Sequence, residues 1–293
     1  MQDVFNGMFA ALQQNVDREQ AGDYTDSADG LLHCGTCKEP KQLRLTMPET
    51  IAEALGKERI VYRSCACQRA RIQAEEEARQ QQEAQRHIDQ LRKKGLANNQ
   101  YQECTFAADD QSEPKIRDMC LRYVEQRKQI IAENIGMAFV GDVGTGKTFW
   151  AAAIANALID QGVEALMTTI PQLTAAMTAD YGDDREYVLN QIRRVPFLIL
   201  DDVGFERNTS FAMEKAYEIV NERYKAKKPL IITTNISKEE LQNPSGIADT
   251  RIYDRLIEMC PAIVEVKGKR RRGIAESKRR VAVDILLKKR SDI

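Results

Sequence analysis

Gly141-Asp142-Val143-Gly144-Thr145-Gly146-Lys147-Thr148 is the stretch that decides the fold. It matches G-x-x-x-x-G-K-S/T, and its flanks are those the pattern needs: the apolar run Met137–Val140 reads as a strand and Phe149–Ile159 as a helix. Glycines at 141, 144 and 146 let backbone N–H groups turn inward around phosphate oxygens, because no Cβ blocks positive φ or close approach. Asp142, Val143 and Thr145 fill the other positions of the cradle. The helix that follows adds the positive end of its dipole. Lys147 is placed to reach the β- and γ-phosphates of ATP, and Thr148 to complete a Mg²⁺ shell.

Strand candidates recur on either side: Ile135–Val140, Val163–Thr169, Phe197–Asp201, Leu230–Thr234 and Ala262–Val266. Runs such as FLIL and LIITT are apolar throughout, as in strands covered on both faces, which predicts a five-stranded parallel sheet. The segments between them, including 148–161 and 211–226, are long enough for crossover helices, so residues 96–293 read as one α/β domain. Phe197-Leu-Ile-Leu-Asp201-Asp202 puts a carboxylate at the tip of a central strand, beside the loop. Asp201 is expected to hold Mg²⁺ through water and Asp202 to polarise the attacking water, a helix cap or plain surface acid being the other reading of Asp202. Asn235, after Leu230–Thr234, is expected to bond the γ-phosphate or the water, since ligands gather at the carboxyl ends of parallel strands.

Residues 1–67 have another character. Seven cysteines stand at 34, 37, 65, 67, 104, 120 and 260, an odd number with four bunched in two pairs, which suits a reducing compartment better than a disulfide framework. Cys34-Gly-Thr-Cys37 and Cys65-Ala-Cys67 supply four thiolates for a closed, structural zinc site. Metal binding would add folding energy that a domain of about 50 residues lacks, with unligated thiols as the alternative. His33 could replace one thiol, though adjacency to Cys34 makes this awkward. Val4, Phe5, Met8, Phe9 and Leu12 form a helical stripe that docks on the chain itself or on a partner. Residues 68–95 are rich in Ala, Glu, Gln, Arg and Lys without an apolar stripe, hence a solvated helical linker that Gly95 closes as a C-cap.

The 293 residues carry Lys+Arg 43 against Asp+Glu 44, and 43% are hydrophobic, which excludes both a wholly disordered chain and a uniformly basic one. No apolar run approaches the ~20 residues of a membrane helix, and the N-terminus lacks the pattern of a secretory signal. The expectation is a soluble cytoplasmic protein with no membrane partner. The balance hides a basic stripe: Lys267 to Arg290 holds eleven Lys/Arg against two acids, enough to track a phosphate backbone or to remain a solvated face.

Together the loop, the Asp201-Asp202 strand and the Asn235 strand resemble the AAA+ ATPases, more narrowly the DnaC/DnaI-type replicative helicase loaders, over about residues 96–290. The resemblance implies that the segment Tyr101–Phe106 lies near the adenine, with Phe106 as the contact unless it is a core aromatic. It implies an arginine finger at Arg251, within Thr250–Leu256, reaching a neighbouring subunit's ATP, and hence head-to-tail self-association into a ring or spiral. A sensor-2 arginine falls at Arg272, with Arg271 as the neighbouring choice. The resemblance further implies that residues 1–67 bind a hexameric replicative helicase, that the assembly loads it on single-stranded DNA, and that ATP, Mg²⁺ and Zn²⁺ are bound. Asp202 stands where AAA+ proteins usually have glutamate, which implies slow or partner-dependent hydrolysis. An IstB-like ATPase helper of transposition and a nucleotide-gated adaptor with little hydrolysis are the competing functions.

Overall fold

The computed structural model describes residues 19–48, 52, 56–178, 184–204, 210–242 and 247–267. The chain divides into two units, Met1–Ala84 and Gln85–Ile293. In the first, β1 (Tyr24–Thr25) pairs antiparallel with β2 (Leu32–His33), and β3 (Gln42–Thr46) with β4 (Glu58–Tyr62). Helix α1 (Ala66–Gly95) begins in this unit and ends in the second. It starts two residues before the expected 68, so that Cys67 lies in its first turn.

The second unit continues with α2 (Asn99–Glu103), a 3₁₀ turn (Phe106–Ala108), α3 (Pro114–Glu125), α4 (Arg127–Ala132) and β5 (Met137–Val140). Then come α5 (Lys147–Asp160), β6 (Ala165–Thr168), α6 (Ile170–Met177), α7 (Asp184–Arg194) and β7 (Phe197–Leu200). The rest is α8 (Ser210–Ala226), β8 (Leu230–Thr234), α9 (Lys238–Gln242), α10 (Ile247–Met259) and β9 (Ala262–Glu265). The five strands β5 to β9 form one parallel sheet in the order β6-β7-β8-β5-β9. This is the α/β arrangement with a five-stranded parallel sheet expected from the sequence. The loop-bearing β5 sits between β8 and β9, so β8 separates it from the Asp201 strand β7.

Why these runs are apolar throughout is plain from the burial. Every residue of β5, β7 and β8 is buried, and alternate residues enter opposite cores. Met137, Phe139, Phe197, Ile199 and Ile231 face one core with α3 and α5. Ala138, Val140, Leu198, Leu200, Leu230 and Ile232 face the other with α6, α7, α8 and α10. Each of the larger of these side chains contributes about 1.5–3 kcal/mol on burial. Helix α5 is buried on most sides, which its alanines at 151, 152, 153 and 155 permit by letting it lie close to the sheet. A helix this enclosed needs no polar face.

Two local expectations change. The end of α1 is docked, not solvated: Ile88 and Leu91 pack against the first core, and Lys94 pairs with Glu164 at 3.0 Å. Gly95 is not a left-handed cap. A Cβ there would overlap the Ala165 carbonyl oxygen, so glycine is required by close approach of the helix end to β6. No helix of the described residues is long and apolar enough to cross a membrane.

One lock was invisible in the sequence. The Arg223 side chain on α8 is fully buried, and its guanidinium donates to the carbonyls of Ile192, Val195 and Pro196 and twice to that of Pro229. Burial pulls its pKa down to about 9. The group joins the end of α7 to the turn before β8, and so holds the entries to β7 and β8.

Candidate functional site

The loop leaves β5 with Gly141, Gly144 and Gly146 at φ of 142°, 86° and 105°, values that side-chain-bearing residues avoid. Its backbone amides are therefore free to line a concavity. Val143, Gly144, Gly146, Lys147, Thr148, Asp201, Asp202, Thr233 and Asn235 surround a cleft of ≈ 360 Å³ at the carboxyl ends of β5, β7 and β8. Lys147 is buried and donates to the carbonyls of Gly141 (2.8 Å) and Asp142 (2.7 Å) and to Asn235 Oδ1 (2.8 Å). Burial pulls the lysine pKa below its ordinary range, while Asp202, Asp142 and Asp201 pull it back up. The ammonium is parked on the loop and on the β8 tip, in the position of a group awaiting anionic oxygens.

Thr148 Oγ1 donates to Asp201 Oδ1 at 2.9 Å, which spans the intervening strand. Thr233 Oγ1 donates to the same oxygen at 2.6 Å, and Tyr101 Oη donates to Oδ2 at 3.0 Å. Asp202 is exposed and left-handed, at φ 54°. Its N–H donates to Thr233 Oγ1 at 2.8 Å and its Oδ1 accepts from Asn235 Nδ2 at 3.1 Å. Asn235 thus faces Lys147 with one end of its amide and Asp202 with the other. The structure brings Lys147, Thr148, Asp201, Asp202 and Asn235 to one place. It adds Thr233, hinted at by the polar end of LIITT, and Tyr101, which lies 100 residues from Asp201 and left no local signal.

Other candidates lie apart. Phe106 is not among the cleft residues. Its ring centroid is 6.5 Å from that of Trp150, against the first core. Arg251 is exposed on α10, and it does not line the cleft of its own chain. Arg255, one turn on, lies over the rings of Tyr217 and Tyr224 at 4.5 and 5.5 Å. Arg271, Arg272, the basic stripe from 268 and the apolar stripe at residues 4–12 fall outside the described residues.

In the first unit the sulfurs of Cys34, Cys37 and Cys65 lie within 4.8 Å of one another. The first pair forms a knuckle: Cys34 O accepts from Lys38 N at 3.0 Å, Cys34 N donates to Glu39 O at 2.9 Å, and Lys38 takes φ 63°. The amides of Cys67 and Glu39 pull the Cys37 thiol down to about 6, toward the thiolate a metal needs. The exposed Cys67 is not one of these three, although the bond to the neighbouring Cys37 thiol pushes its own pKa up to about 11. Such a donor set fits zinc. His33 is no ligand in this arrangement, since Nδ1 meets Lys38 O and Nε2 meets Asp29 Oδ2, both at 2.9 Å. Two carboxylates brace the pairs: Asp23 accepts from Gly35 N at 3.1 Å, and Glu39 from Ala66 N at 2.8 Å.

The sequence profile of the IstB-like ATP binding proteins matches residues 58–279. The chain belongs to this family. Among relatives of the IstB-like chain, the uncharacterized Escherichia coli K12 protein YdaV is 28% identical over 187 residues, 60% of this chain and 72% of YdaV. The replicative helicase loader DnaC of Escherichia coli K12 is 32% identical over 138 residues, 46% of this chain and 54% of DnaC. The replicative helicase loader DnaI of Bacillus subtilis is 26% identical over 148 residues, 47% of each chain. The chain therefore spans about half the length of these two loaders. Among solved structures, DnaI covers 61% of this chain at 22% identity and TM-score 0.49, and the DnaC helicase loader 58% at 25% and 0.47; the match takes in 95% and 100% of those chains.

Proposed function

We propose that the chain is an ATP-dependent loader of a hexameric replicative helicase onto single-stranded DNA at replication initiation. The observation that carries the reading is the convergence of Lys147, Thr148, Asp201, Asp202 and Asn235 in one cleft, on a chain that resembles DnaC and DnaI. ATP enters by exchanging the carbonyls and Asn235 Oδ1 around Lys147 for phosphate oxygens. Thr148 and Asp201 hold Mg²⁺, which supplies charge neutralisation on the phosphates. A water attacks the γ-phosphorus while its bond to the β,γ-bridging oxygen breaks. The water's proton passes by Asp202, oriented by Asn235, to the products, which are ADP and inorganic phosphate. Asp202 is one methylene shorter than glutamate, which favours slow, partner-stimulated turnover.

Arg251 serves the neighbouring subunit's ATP in a head-to-tail ring or spiral, Arg272 acts as sensor 2, and Phe106 flanks the adenine. Cys34, Cys37, Cys65 and Cys67 hold a structural zinc, so that residues 1–67 form the helicase-binding module, residues 68–95 the linker and residues 96–293 the ATPase domain. The test is capture of a purified hexameric helicase with and without ATP and single-stranded DNA. Capture that needs ATP binding and that Cys34→Ser removes supports the loader. The IstB-like family match favours a second reading, a helper of DNA transposition. Binding to a transposase on duplex DNA, with no helicase capture, would reverse the order. Arg251→Ala should leave ATP binding intact and lower hydrolysis or assembly at least tenfold.

A further inference from the structure

Asp201 has three hydroxyl donors, and they divide unequally between its oxygens. Thr148 and Thr233 both bond Oδ1, at 2.9 and 2.6 Å, and these two bonds fix the plane of the carboxylate. Tyr101 alone takes Oδ2, at 3.0 Å. Oδ2 is the oxygen with spare acceptor capacity, hence the one left to receive the water of a hydrated cation. Tyr101 is 8% exposed.

Tyr101 is also held from behind. Its helix α2 has only five residues, capped by Asn98, and depends on α5 for its position. Asn156 Nδ2 on α5 donates to the carbonyls of Tyr101 at 2.7 Å and Cys104 at 2.8 Å. Asn156 Oδ1 accepts from Arg92 Nη1 at 2.6 Å, and Arg92 also pairs with Asp160. Arg92 lies in the last turns of α1. A continuous polar path therefore leads from the end of α1 through Asn156 and the backbone of α2 to the carboxylate of Asp201.

We propose that Tyr101 is a positioning residue that acts as a brake on magnesium at Asp201, its hydroxyl held on Oδ2 by the end of α1 through Asn156. The inference rests on the nucleotide reading given above. A hydroxyl bonded to a carboxylate stabilises its charge and makes that oxygen a weaker acceptor for a cation's water. Because Thr148 and Thr233 orient the group, loss of the Tyr101 bond removes the competitor without loosening the carboxylate. Displacement of α1 by a bound partner would shift Asn156 and lift the hydroxyl, so that magnesium uptake follows partner binding.

The experiment is a Mg²⁺ titration of fluorescent ATP-analogue binding to the full chain, with the affinity in EDTA as reference. Tyr101→Phe should lower the Mg²⁺ midpoint about three- to tenfold and leave the EDTA affinity unchanged. Arg92→Gln should shift the midpoint the same way by a smaller factor. Thr233→Val, which strips an orienting bond from Oδ1, should raise it. A midpoint unmoved or raised in Tyr101→Phe, or one that moves the same way in Tyr101→Phe and Thr233→Val, overturns the brake. An unmoved midpoint in Arg92→Gln overturns its control by α1. Normal uptake by the wild type combined with such a result leaves the nucleotide reading standing. A folded wild type that takes up no analogue at any Mg²⁺ concentration overturns both.

Discussion

In the α/β unit every residue of β5, β7 and β8 is buried, and two separate cores cover the faces of the sheet. In the cysteine unit the described apolar core is thin: Leu32, Met47 and Val61 each keep 9% exposure, and the strands pair only in twos. Its most buried contacts are polar, the Lys41–Asp23 ion pair at 2.6 Å with both side chains nearly enclosed, and the thiol cluster beside it. Burial would raise the Asp23 pKa, yet the Lys41 bond and the amides of Gly35 and Gln20 hold it below the ordinary aspartate range. One unit is thus held by apolar area and the other by a few strong polar links. Two-stranded pieces of sheet are marginal by themselves, so the second kind of unit needs an added staple.

That contrast predicts unequal responses to perturbation. The largest concerns the thiols. Chelation of zinc, or Cys34→Ser, should withdraw roughly 10 kcal/mol of metal-linked folding energy and unfold residues 19–62. Hydrogen exchange should show this region losing protection while the α/β sheet keeps its own and ATP binding persists. Retention of protection by a metal-free chain would mean that the polar links suffice without the metal.

Next comes Arg223. Arg223→Met keeps the aliphatic stem but strands the carbonyls of Ile192, Val195, Pro196 and Pro229, at a cost of about 3–5 kcal/mol to the α/β unit. Thermal unfolding followed on that unit checks this. A variant melting alongside the wild type would show that water replaces the guanidinium.

The smallest effect is at Gly95. Gly95→Ala forces a Cβ onto the Ala165 carbonyl and should cost about 1–3 kcal/mol, read as a lower denaturant midpoint with the slope unchanged. No loss at all would mean that the end of α1 does not approach β6 closely enough to exclude a Cβ.

These cases mark how far the sequence could be read. The strands and the loop were legible because full burial on both faces leaves uninterrupted apolar runs, and because a phosphate cradle admits few residue types. Asp201, Asp202 and Asn235 were legible since each follows such a run. Arg223 sits inside a helix among other charged residues, and its partners are backbone carbonyls on other elements, which no side-chain pattern encodes. Tyr101 meets Asp201 only after the chain has passed through three strands, β5, β6 and β7, so its role emerges from topology alone. The docking of α1 was missed because its apolar contacts, Ile88 and Leu91, are confined to the end of a long polar helix.

The central claim is that the loop, Lys147 and the Asp201 carboxylate form a site for Mg²⁺ and ATP. Calorimetric titration of Mg²⁺·ATP into the folded chain tests it most directly. The account predicts saturable uptake of one nucleotide per chain, weakened at least a hundredfold by Lys147→Ala, about 3 kcal/mol. Absence of heat and of uptake in a wild-type chain with intact secondary structure, or equal binding by Lys147→Ala, would contradict it.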